Sequence, residues 1–456
     1  MRSRCCRLCE PKSAAEQSVT DPAMTMPRTD TLLTDIACTR CGCVCDDLQV
    51  EIRDGAIHRI QPDCALAEEW FRQAGQPAAA APAEIDGQPV ALTDAIQRSA
   101  ELLRSAKLPL FFGLSRSSTD GQRAVCELAD QLGGIIDTTA SLGHGPSIVA
   151  FQSAGESTST LGEVRHRSDL IIYWGCDPLR THPRHMQRLV DAAGLAVPDG
   201  RAGRHVVVVD SQRTATADRA DQFLQAEAGS DLEIFSALRL LLTGRQLRSS
   251  HVGGLPQDVL KQLAERMKAA RYGAVFFGVS IAQGRCGHAT VEALLRLVTD
   301  LNQWTRFVVR RMRVPGDVTG ADSVLCWQTG FPFSVSLTRG FPRYGPGEYS
   351  AENLLAAGEP DCVVLVGGER VPRFSAAARR HRGRRRHRRV PEPDRRRTAR
   401  VEPREDRARR AVGADDDGRH PRRHPQRRVH RQRERQRRGA LGLLRHDVRL
   451  QGLQVA

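Results

Sequence analysis

Residues 93–312 alternate between short apolar runs and amphipathic stretches of helical periodicity. Two of the runs, Asp169–Gly175 and His205–Asp210, are almost continuously apolar. Such strands are typical of parallel sheets that helices cover on both faces, because neither side of the strand meets water. The alternation therefore predicts an α/β fold made of doubly wound parallel sheets. Ligands in such sheets bind in the loops that follow the carboxyl ends of the strands.

The same two periodicities predict the other elements of this region. We expect helices over Thr93–Lys107, Asp120–Leu132, Asp231–Leu242 and Thr290–Leu301, and strands over Leu108–Gly113, Ile135–Thr138, Ala274–Val279 and Arg306–Met312. Residues 313–350 are rich in glycine, proline and aromatic residues. They predict a long irregular segment, which inside a globular chain is usually a functional or interface loop.

The chain ahead of this region divides into a leader, a small cysteine-rich domain and a linker. Residues 1–30 are expected to be a disordered leader or an over-called start, for which Met24 and Met26 are alternative first residues. Residues 31–75 contain two alternating runs around Asp54-Gly55, which is a strong signal for a two-residue hairpin. A stretch rich in alanine and proline then predicts a linker up to residue 83. We expect the α/β domains over residues 84–378.

The last part of the chain, residues 379–456, differs from the rest in composition. It carries 28 Arg and 10 acidic residues, so it accounts for the whole net charge of +15 and leaves residues 1–378 close to neutral. Such a segment buries too little apolar surface to offset the entropy lost on ordering. Two interpretations stay open: a natural disordered arm, or a reading frame translated out of register. The abrupt loss of periodicity near Ala378 favours the second.

Cysteine usage points to a reducing compartment, the cytoplasm. The 13 cysteines are odd in number and cluster near the N-terminus, a pattern that favours metal binding over disulfides. No apolar run reaches membrane-spanning length, and residues 1–30 lack the apolar core of a secretory signal. Because residues 1–378 are close to neutral, we expect neither nucleic acid nor a membrane as a partner.

The motif densest in chemically active residues is CTRCGCVCDD, residues 38–47. Cys38, Cys41 and Cys45 have the spacing C-x2-C-x3-C, and Cys64 follows the predicted hairpin. Thiolates spaced this tightly on a loop can converge on one iron–sulfur cube. Cys43 is an extra candidate that could replace one of them. A four-cysteine zinc site and a former cluster loop that is now empty are the open alternatives.

A second motif, IIDTTASLGHGPSIVAF, covers Ile135–Phe151. The predicted strand opens into a glycine-flanked loop that carries His144, and a helix is expected from Ser147. A loop between a strand end and a helix start suits an anion or a cofactor. A lone histidine is more often a hydrogen-bonded structural residue, and that interpretation stays open.

A third motif follows the strand that ends at Asp210. The loop supplies Arg213, Thr214 and Thr216, and Asp231 begins the next predicted helix. An acid at a strand end, followed by arginine and hydroxyl groups, can bind a nucleotide-like ligand. The same residue types also cap loops and helices, so this motif alone does not decide between the two roles.

Together these motifs resemble the molybdopterin oxidoreductase superfamily and, within it, the B subunit of formylmethanofuran dehydrogenase. The matching stretches stand in the family's order: Cys38–Asp47, Ile135–Ser147, Asp169–His185, Asp210–Asp231 and Val318–Leu355. The resemblance implies a molybdopterin-oxidoreductase-like fold with a small N-terminal cluster domain. It implies a four-iron, four-sulfur (4Fe-4S) cluster on four cysteines and a bis-pterin dinucleotide pocket near four loop residues: Cys38, Cys41, Cys45 and Cys64 for the cluster, and Asp210, Arg213, Thr214 and Thr216 for one nucleotide.

This sequence departs from the redox members of the family at one position. In those members a cysteine or selenocysteine immediately before the loop histidine binds tungsten or molybdenum. Here that position is Gly143, followed by His144. Glycine supplies no thiolate, so we expect the tungsten or molybdenum bis-pterin cofactor to be absent. The family match also ends near Ala378, ahead of the arginine-rich tail.

The resemblance implies two functional hypotheses. In the first, the chain is a non-redox, architectural subunit of a formyltransferase/hydrolase complex in the metabolism of formaldehyde to formate. Its partners are the other subunits and a furan-type formyl carrier, which receives the formyl group from a tetrahydromethanopterin carrier. In the second, the chain is a redox-active tungsten or molybdenum formylmethanofuran dehydrogenase subunit, and His144 handles a proton. Gly143 favours the first hypothesis.

Overall fold

The computed structural model describes residues 30–75, 83–284, 286–313 and 318–367, and a short strand at 453–455. The predicted leader, the linker and the rest of the predicted tail lie outside the described residues, apart from the edge positions of the first two. The chain divides into two compact units. One contains the residues up to Ile36 together with Asp46–Gln76, and the other contains Ala37–Cys45 and the chain from Pro77 onward.

The N-terminal strands form a three-stranded sheet in the order β1-β2-β3. The bounds are Thr31–Cys38 for β1, Cys45–Arg53 for β2, Ala56–Gln61 for β3 and Ala65–Gly75 for the helix α1 that follows. β2 and β3 form the predicted antiparallel hairpin, and Asp54 and Gly55 both have positive φ, as a two-residue turn requires. Arg72 donates hydrogen bonds to the carbonyls of Ile57 and His58, which ties α1 to β3.

The second unit contains the α/β part of the chain. Its strands are β4 (Ala83–Ile85), β5 (Gln88–Val90), β6 (Pro109–Gly113), β7 (Ile135–Thr138), β8 (Leu170–Trp174), β9 (His205–Asp210), β10 (Gln222–Gln225), β11 (His251–Val252), β12 (Leu255–Pro256), β13 (Tyr272–Phe277), β14 (Arg306–Arg311), β15 (Val335–Ser336), β16 (Arg343–Tyr344), β17 (Cys362–Val366) and β18 (Leu453–Val455). β4 with β5, and β11 with β12, form separate two-stranded antiparallel pairs.

The helices of this unit alternate with the strands along the chain. They are α2 (Leu92–Ser105), α3 (Thr119–Leu132), α4 (Ala140–Gly143), α5 (Gly145–Ala154), α6 (Leu161–Arg167), α7 (Pro178–Thr181), α8 (Asp231–Leu242), α9 (Gln257–Ala269), α10 (Val279–Gln283), α11 (Gly287–Leu301), α12 (Val318–Thr329) and α13 (Ala351–Ala357). A π-helix covers Met186–Asp191, and 3-10 turns cover Gly200–Gly203 and Ala217–Arg219.

A five-stranded, fully parallel sheet has the strand order β10-β9-β8-β13-β14. The chain runs outward from β8 on one side and outward from β13 on the other, which is the predicted doubly wound arrangement. Alternate strand residues pack on opposite faces. Ile172 belongs to the core on the side of α8, α9 and α11, and Ile171 belongs to the core on the side of α6 and the π-helix. Burial on both faces explains why these strands read as continuous apolar runs.

A six-stranded sheet has the order β16-β15-β7-β6-β17-β18. Its centre, β7-β6-β17, is parallel, and the strands on either side of that centre pair antiparallel. Val125 of α3 and Val324 of α12 belong to the core on one face, and Leu354 of α13 belongs to the core on the other. The five-stranded sheet is inserted in the chain between β7 and β15. The predicted fold class, α/β with doubly wound parallel sheets, is confirmed.

One expectation was wrong. Residues 313–350 were predicted to be irregular, yet they contain α12, because Ala321, Val324 and Leu325 have helical spacing and all are buried. In the predicted tail, Leu453–Val455 forms β18 and pairs with β17; the disordered or out-of-frame character of the rest of the tail stays a prediction. An unpaired strand edge offers backbone N–H and C=O groups to any extended segment, which accounts for that pairing. Within the described residues, no helix is both long and apolar enough to cross a membrane.

Candidate site at the carboxyl ends of the strands

The five-stranded sheet reverses its direction of winding between β8 and β13, and the loops after these two strands meet closely. A Cβ added to Gly278 would lie 1.9 Å from the carbonyl oxygen of Gly175, so the backbone of the second loop approaches the first as only glycine allows. Gly175 itself has φ +58°, which also favours glycine. Crevices at such reversal points are the usual ligand sites of open α/β sheets.

The loop after β7 carries His144 between the short helix α4 and the start of α5. The side chain of His144 is fully buried, and neither ring nitrogen has a hydrogen-bond partner among the described residues. Its backbone is fixed, because its N–H donates to the carbonyl of Ala140 and its carbonyl accepts from Ser147 Oγ at 2.8 Å. The backbone of His144 is thus fixed, and both ring nitrogens are unused.

Electrostatics keep this imidazole neutral. Burial lowers the pKa of His144 to about 3, and the positive charges of Arg313 and Arg311 lower it further. A neutral ring presents one N–H donor and one lone-pair acceptor. His144 can therefore hydrogen-bond a polar guest, but it holds no extra proton at neutral pH.

Of the two arginines, Arg311 is well satisfied. It forms a partly buried ion pair with Glu156 at 2.6 Å, and its Nε donates to Ser147 Oγ at 2.9 Å. Its guanidinium also lies over the rings of Phe151 and Phe277. Glu156 neutralises its charge, so Arg311 acts chiefly as a brace between β14 and α5.

Arg313 is less well satisfied. Its Nη1 lies 3.5 Å from Asp322 Oδ2, and neither atom has a hydrogen-bond partner among the described residues. Asp322 is anchored by its other oxygen, which accepts from Thr138 Oγ1 at 2.8 Å. Burial raises the pKa of Asp322 to about 7, although the hydrogen bond from Thr138 and the charge of Arg313 act in the opposite direction.

Asp137, the residue before Thr138, holds the loop after β7 in place through hydrogen bonds. Its fully buried carboxylate accepts four hydrogen bonds, two from Ser334, one from Ser141 and one from the backbone N–H of Ala351. Burial raises its pKa to about 6 despite these donors. The carboxylate joins the end of β7 to α4, to the segment before β15 and to α13.

Gly143 lies at the end of α4, immediately before His144. An added Cβ would meet no atom within 4 Å, so the position opens onto free space. The structure therefore places the two predicted residues of this loop, Gly143 and His144, side by side at a buried polar site. Sequence reasoning did not single out Arg313, Asp322 or Asp137, although Asp137 stands in the same motif as His144 and Asp322 stands in the family stretch Val318–Leu355.

The polar groups of the loop after β9, by contrast, are satisfied by other protein atoms, some of them in the loop after β8. Thr216 is fully buried; its hydroxyl donates to Asp177 Oδ1 and accepts from the N–H of Leu179. Arg213 forms an exposed ion pair with Asp218 at 2.7 Å. The other two predicted residues make local contacts: Thr214 Oγ1 accepts from the N–H of Ala217, and Asp210 Oδ1 accepts long hydrogen bonds from Ser211 and Gln212. The nucleotide role of these residues stays a prediction.

The cysteine loop brings three thiols together in the second unit. Cys41, Cys43 and Cys45 are buried, and the thiol of Cys43 hydrogen-bonds to the other two. Hydrogen bonding to Cys43, whose single S–H is available to either neighbour, lowers the pKa of Cys41 and of Cys45. Cys38 and Cys64 are half-buried, and Cys64 belongs to the first unit. The structure thus gathers two of the four predicted ligands, with Cys43 between them.

Residues from the loop after β8 surround this thiol group. A Cβ added to Gly42 would lie 3.3 Å from His182 Nε2, and Arg188 donates to the carbonyl of Val44. The charges of Arg184 and Arg188 help to lower the pKa of Cys45. Sequence reasoning did not single out these basic residues, although a run of histidine and arginine after a strand end was the available signal.

The described side chains were also compared with the donor arrangements that metal ions need. In the part of the chain that the structure describes, no three or more His, Cys, Asp or Glu side chains are arranged to hold a metal ion. The assignment of Cys38, Cys41, Cys45 and Cys64 to a cluster stays a prediction.

Comparison with known proteins places the chain in a family. It is 37% identical over 354 residues to the B subunit of tungsten-containing formylmethanofuran dehydrogenase 2 from Methanocaldococcus jannaschii, covering 76% of this chain and 81% of that protein. It is 26% identical over 284 residues to the B subunit of the formyltransferase/hydrolase complex Fhc from Methylorubrum extorquens, covering 61% of this chain and 72% of that one. No family model matches the chain.

A solved structure supports the fold. The formyltransferase/hydrolase complex of Methylorubrum extorquens, determined with methylofuran, contains a chain that superposes with a TM-score of 0.55 at 23% identity, over 64% of this chain and 78% of that one. The identity of 37% over 76% of this chain establishes common descent with the formylmethanofuran dehydrogenase B subunit. The chain therefore belongs to the family of formylmethanofuran dehydrogenase B subunits.

Proposed function

We propose that this chain is the non-redox B subunit of a formyltransferase/hydrolase complex in one-carbon metabolism. The complex would transfer a formyl group from a methanopterin carrier to a furan-type carrier and hydrolyse it to formate. The observation that carries the proposal is Gly143. A buried, organised polar site is present at the end of β7, but the position that would supply a metal-binding thiolate has no side chain.

The residues around Gly143 do not fit a tungsten or molybdenum centre held by protein sulfur. No cysteine lies between Ile135 and Phe151, and a side chain added at Gly143 would enter empty space. Among the described residues of this loop, the two ring nitrogens of His144 are the buried polar side-chain atoms without a hydrogen-bond partner. We therefore assign no redox step to this subunit, and its role is architectural.

The partners follow from the family. One relative is named as a subunit of the Fhc complex, and a similar chain was solved in that complex with methylofuran. We propose that this chain assembles with the corresponding formyltransferase and hydrolase subunits and helps to seat a furan-type formyl carrier. All ten cysteines in the described part of the chain are free thiols, which supports a cytoplasmic location.

We also propose that the cysteine loop retains the ability to hold a 4Fe-4S cluster on Cys38, Cys41, Cys45 and Cys64. The low pKa values of Cys41 and Cys45 favour thiolates, the form that binds iron. The guanidinium groups of Arg184 and Arg188 would partly offset the negative charge of such a cluster.

A second candidate function is that of a redox-active subunit. It is favoured by the higher identity to the tungsten-containing dehydrogenase subunit, 37%, than to the Fhc subunit, 26%. In that case the metal would be bound without a protein thiolate, and His144 would face the reacting carbon. Because its pKa is about 3, His144 would then donate or accept a hydrogen bond as a neutral ring.

The deciding experiment is elemental analysis of the intact complex, purified anaerobically from its native source. We expect formyltransferase and hydrolase subunits to co-purify with the chain, and tungsten and molybdenum to be far below one atom per copy of this chain. About one atom of either metal per copy would overturn the non-redox proposal. The iron content of the same sample, near four atoms or near none, decides whether the cluster is assembled.

Restoring the missing thiolate gives a second test. We expect Gly143→Cys to produce no formate oxidation with a viologen acceptor, because a single ligand does not recreate a cofactor site. The matched control is Gly143→Ser, which adds a side chain of similar size without a thiol. Clear turnover by the cysteine variant alone would show that the pterin pocket is intact and would favour the redox-active candidate.

A further inference from the structure

Leu195 lies at the end of the five-stranded sheet opposite to the candidate site, in the loop between the π-helix and β9. Its side chain is 88% exposed, more than any other large apolar side chain among the described residues. Single exposed leucines are common on protein surfaces. This one differs because its backbone is fixed and because a second apolar side chain and unpaired cations share its surface.

The tip of this loop is held rigidly. Gly194 and Val197 exchange two backbone hydrogen bonds across it, at 2.9 and 3.2 Å. The backbone N–H of Ala196 donates to the carbonyl of His166, at the end of α6. A Cβ added to Gly194 would lie 2.3 Å from the carbonyl oxygen of Arg165, so the loop packs against α6 as closely as glycine allows. A rigid tip loses little conformational entropy when a partner binds it.

Trp304, in the turn before β14, is the second apolar side chain at this end of the sheet and is 44% exposed. Contacts between neighbouring strand ends connect it to the rigid tip. Thr305 Oγ1 donates to the carbonyl of Ala270, and the guanidinium of Arg271 donates to the carbonyl of Ala196 at 3.5 Å. Neighbouring strands lie about 4.8 Å apart, so the tryptophan and the leucine belong to one surface. We call it the amino-end surface.

The amino-end surface is positively charged. Lys268 lies over the ring of Trp304, with Nζ 5.2 Å from the centroid. Three exposed arginines directly before or at the strand starts form no ion pair among the described residues: Arg165 in the last turn of α6, Arg266 in the last turn of α9 and Arg306 at the start of β14. The chain ahead of the tail is close to neutral, so this charge is local. The surface that complements it is acidic.

We infer that the amino-end surface docks another subunit of the complex, through an apolar pocket rimmed by aspartate or glutamate side chains. Leu195 and Trp304 enter the pocket, and the arginines face its rim. Tryptophan and arginine are the residue types that contribute most to protein interfaces. A second copy of this chain fits less well, because two positive surfaces repel each other. The inference rests on the proposed function only in taking the partner to be a subunit of the formyltransferase/hydrolase complex.

The test is native mass spectrometry of the intact complex, purified from its native source with a tagged wild-type chain or a variant of it. A dilution series gives the dissociation constant of each subunit. We expect Leu195→Asp to raise that of one other subunit at least about tenfold, because the added carboxylate would enter an apolar pocket with an acidic rim. Trp304→Ala should weaken the binding of the same subunit by about fivefold or more.

The matched control is Leu92→Asp. Leu92 is the first residue of α2, is 54% exposed and belongs to a helix that packs on the six-stranded sheet. An aspartate is well tolerated in a first helical turn, so this variant should keep the wild-type composition. Because the side chain of Leu195 is exposed, Leu195→Asp should melt as the wild type does, and circular dichroism thus separates lost docking from lost folding.

The charges are tested separately by salt. Arg306→Glu should release the same subunit, and the difference from the wild type should shrink at high salt, because ions screen exposed charges. Its control is Arg123→Glu on α3, whose side chain is 60% exposed and should have no effect on assembly. Arg306→Glu keeps the test decisive where Trp304→Ala fails to fold.

Wild-type dissociation constants in both Leu195→Asp and Arg306→Glu would overturn the docking surface, as would equal losses in Leu92→Asp. Fewer copies of this chain per complex, with all other subunits retained, would show that the surface binds a second copy and that the acidic partner is wrong. Stoichiometric tungsten or molybdenum in an otherwise intact complex overturns the proposed function alone. A wild-type chain that co-purifies with no other subunit overturns both.

Discussion

The loops after β7 and β9 follow comparable parallel strands, but they treat their polar groups in opposite ways. After β9, the hydroxyl of Thr216 is buried and fully used, bridging Asp177 and Leu179. After β7, His144 is equally buried, yet its ring has no partner among the described residues. A loop whose buried polar groups are satisfied by protein atoms is complete without a ligand. A loop that leaves them unsatisfied is organised for something that it does not contain.

The support beneath the β7 loop explains how it tolerates this state. Asp137 joins four hydrogen-bond donors from three segments and fixes the backbone that carries Gly143 and His144. The unsatisfied nitrogens of His144 lower the stability of the fold. The hydrogen bonds of Asp137 nevertheless keep the loop backbone in place. Substitutions in both loops test this difference. Below, the loop after β9 is called the completed loop and the loop after β7 the held-open loop.

The largest expected effect is the loss of the hydrogen bonds that Asp137 accepts. Asp137→Asn should lower the free energy of unfolding by about 2–4 kcal/mol, because one of two acceptor oxygens becomes an N–H2 group facing two donors. Urea unfolding followed by circular dichroism measures it. Asp300→Asn, which loses one partly exposed ion pair, should cost less than about 1 kcal/mol. Equal losses in the two variants would mean that Asp137 has no special role.

A substitution in the completed loop should lower the free energy of unfolding somewhat less than Asp137→Asn does. Thr216→Val keeps the shape of the side chain but leaves the N–H of Leu179 without its acceptor and removes a hydrogen bond to Asp177, so we expect a loss of about 1–3 kcal/mol. The control is Thr243→Val, whose exposed hydroxyl donates only to the carbonyl of Leu240 and should cost about 0.5 kcal/mol or less. A loss no larger than the control's would show that water replaces the buried bonds.

A substitution of His144 in the held-open loop should raise stability rather than lower it. His144→Leu removes two unsatisfied nitrogens, so stability at neutral pH should hold or rise slightly. In acid it should rise by about 2 kcal/mol relative to the wild type. The pKa of His144 is about 3 in the fold and near its ordinary 6.5 when unfolded, so the unfolded chain takes up a proton first and the wild type loses stability as pH falls between these values.

Urea unfolding at neutral pH and near pH 4.5 measures this difference, with the exposed His288→Leu as the control. If His144→Leu instead loses more than about 1 kcal/mol at neutral pH, its nitrogens are satisfied by bound water or a bound ligand.

The sequence predicted the strands well, because burial on both faces leaves an apolar run that no other element produces at that length. His205–Asp210 and Ile135–Thr138 match β9 and β7 to the residue. It failed at α12, where Gly320 and nearby aromatic residues hid a helical pattern that only packing against α3 reveals.

The candidate site was only half predictable. Gly143 and His144 stand in one short motif, so the family pattern locates them. Arg313 and Asp322 lie in the segment that we expected to be irregular, and their relation to Thr138 is a product of the fold. Charged residues at these positions carry no periodic signal. They can be recognised as site residues only when the structure shows their burial and their unpaired atoms.

The smallest effect concerns the two glycines that follow β7 and β8. Gly143→Ala should stabilise the fold by about 0.5–1 kcal/mol, because its φ is not positive and the added methyl group meets nothing within 4 Å. The matched control, Gly175→Ala, should destabilise it by more than about 1 kcal/mol, since its φ is +58° and the methyl group would lie 2.9 Å from Ser280 Oγ. Calorimetric melting of both variants decides the point. A loss of stability in Gly143→Ala would mean that a guest already fills the space beside His144, and this would make the two loops alike in being complete.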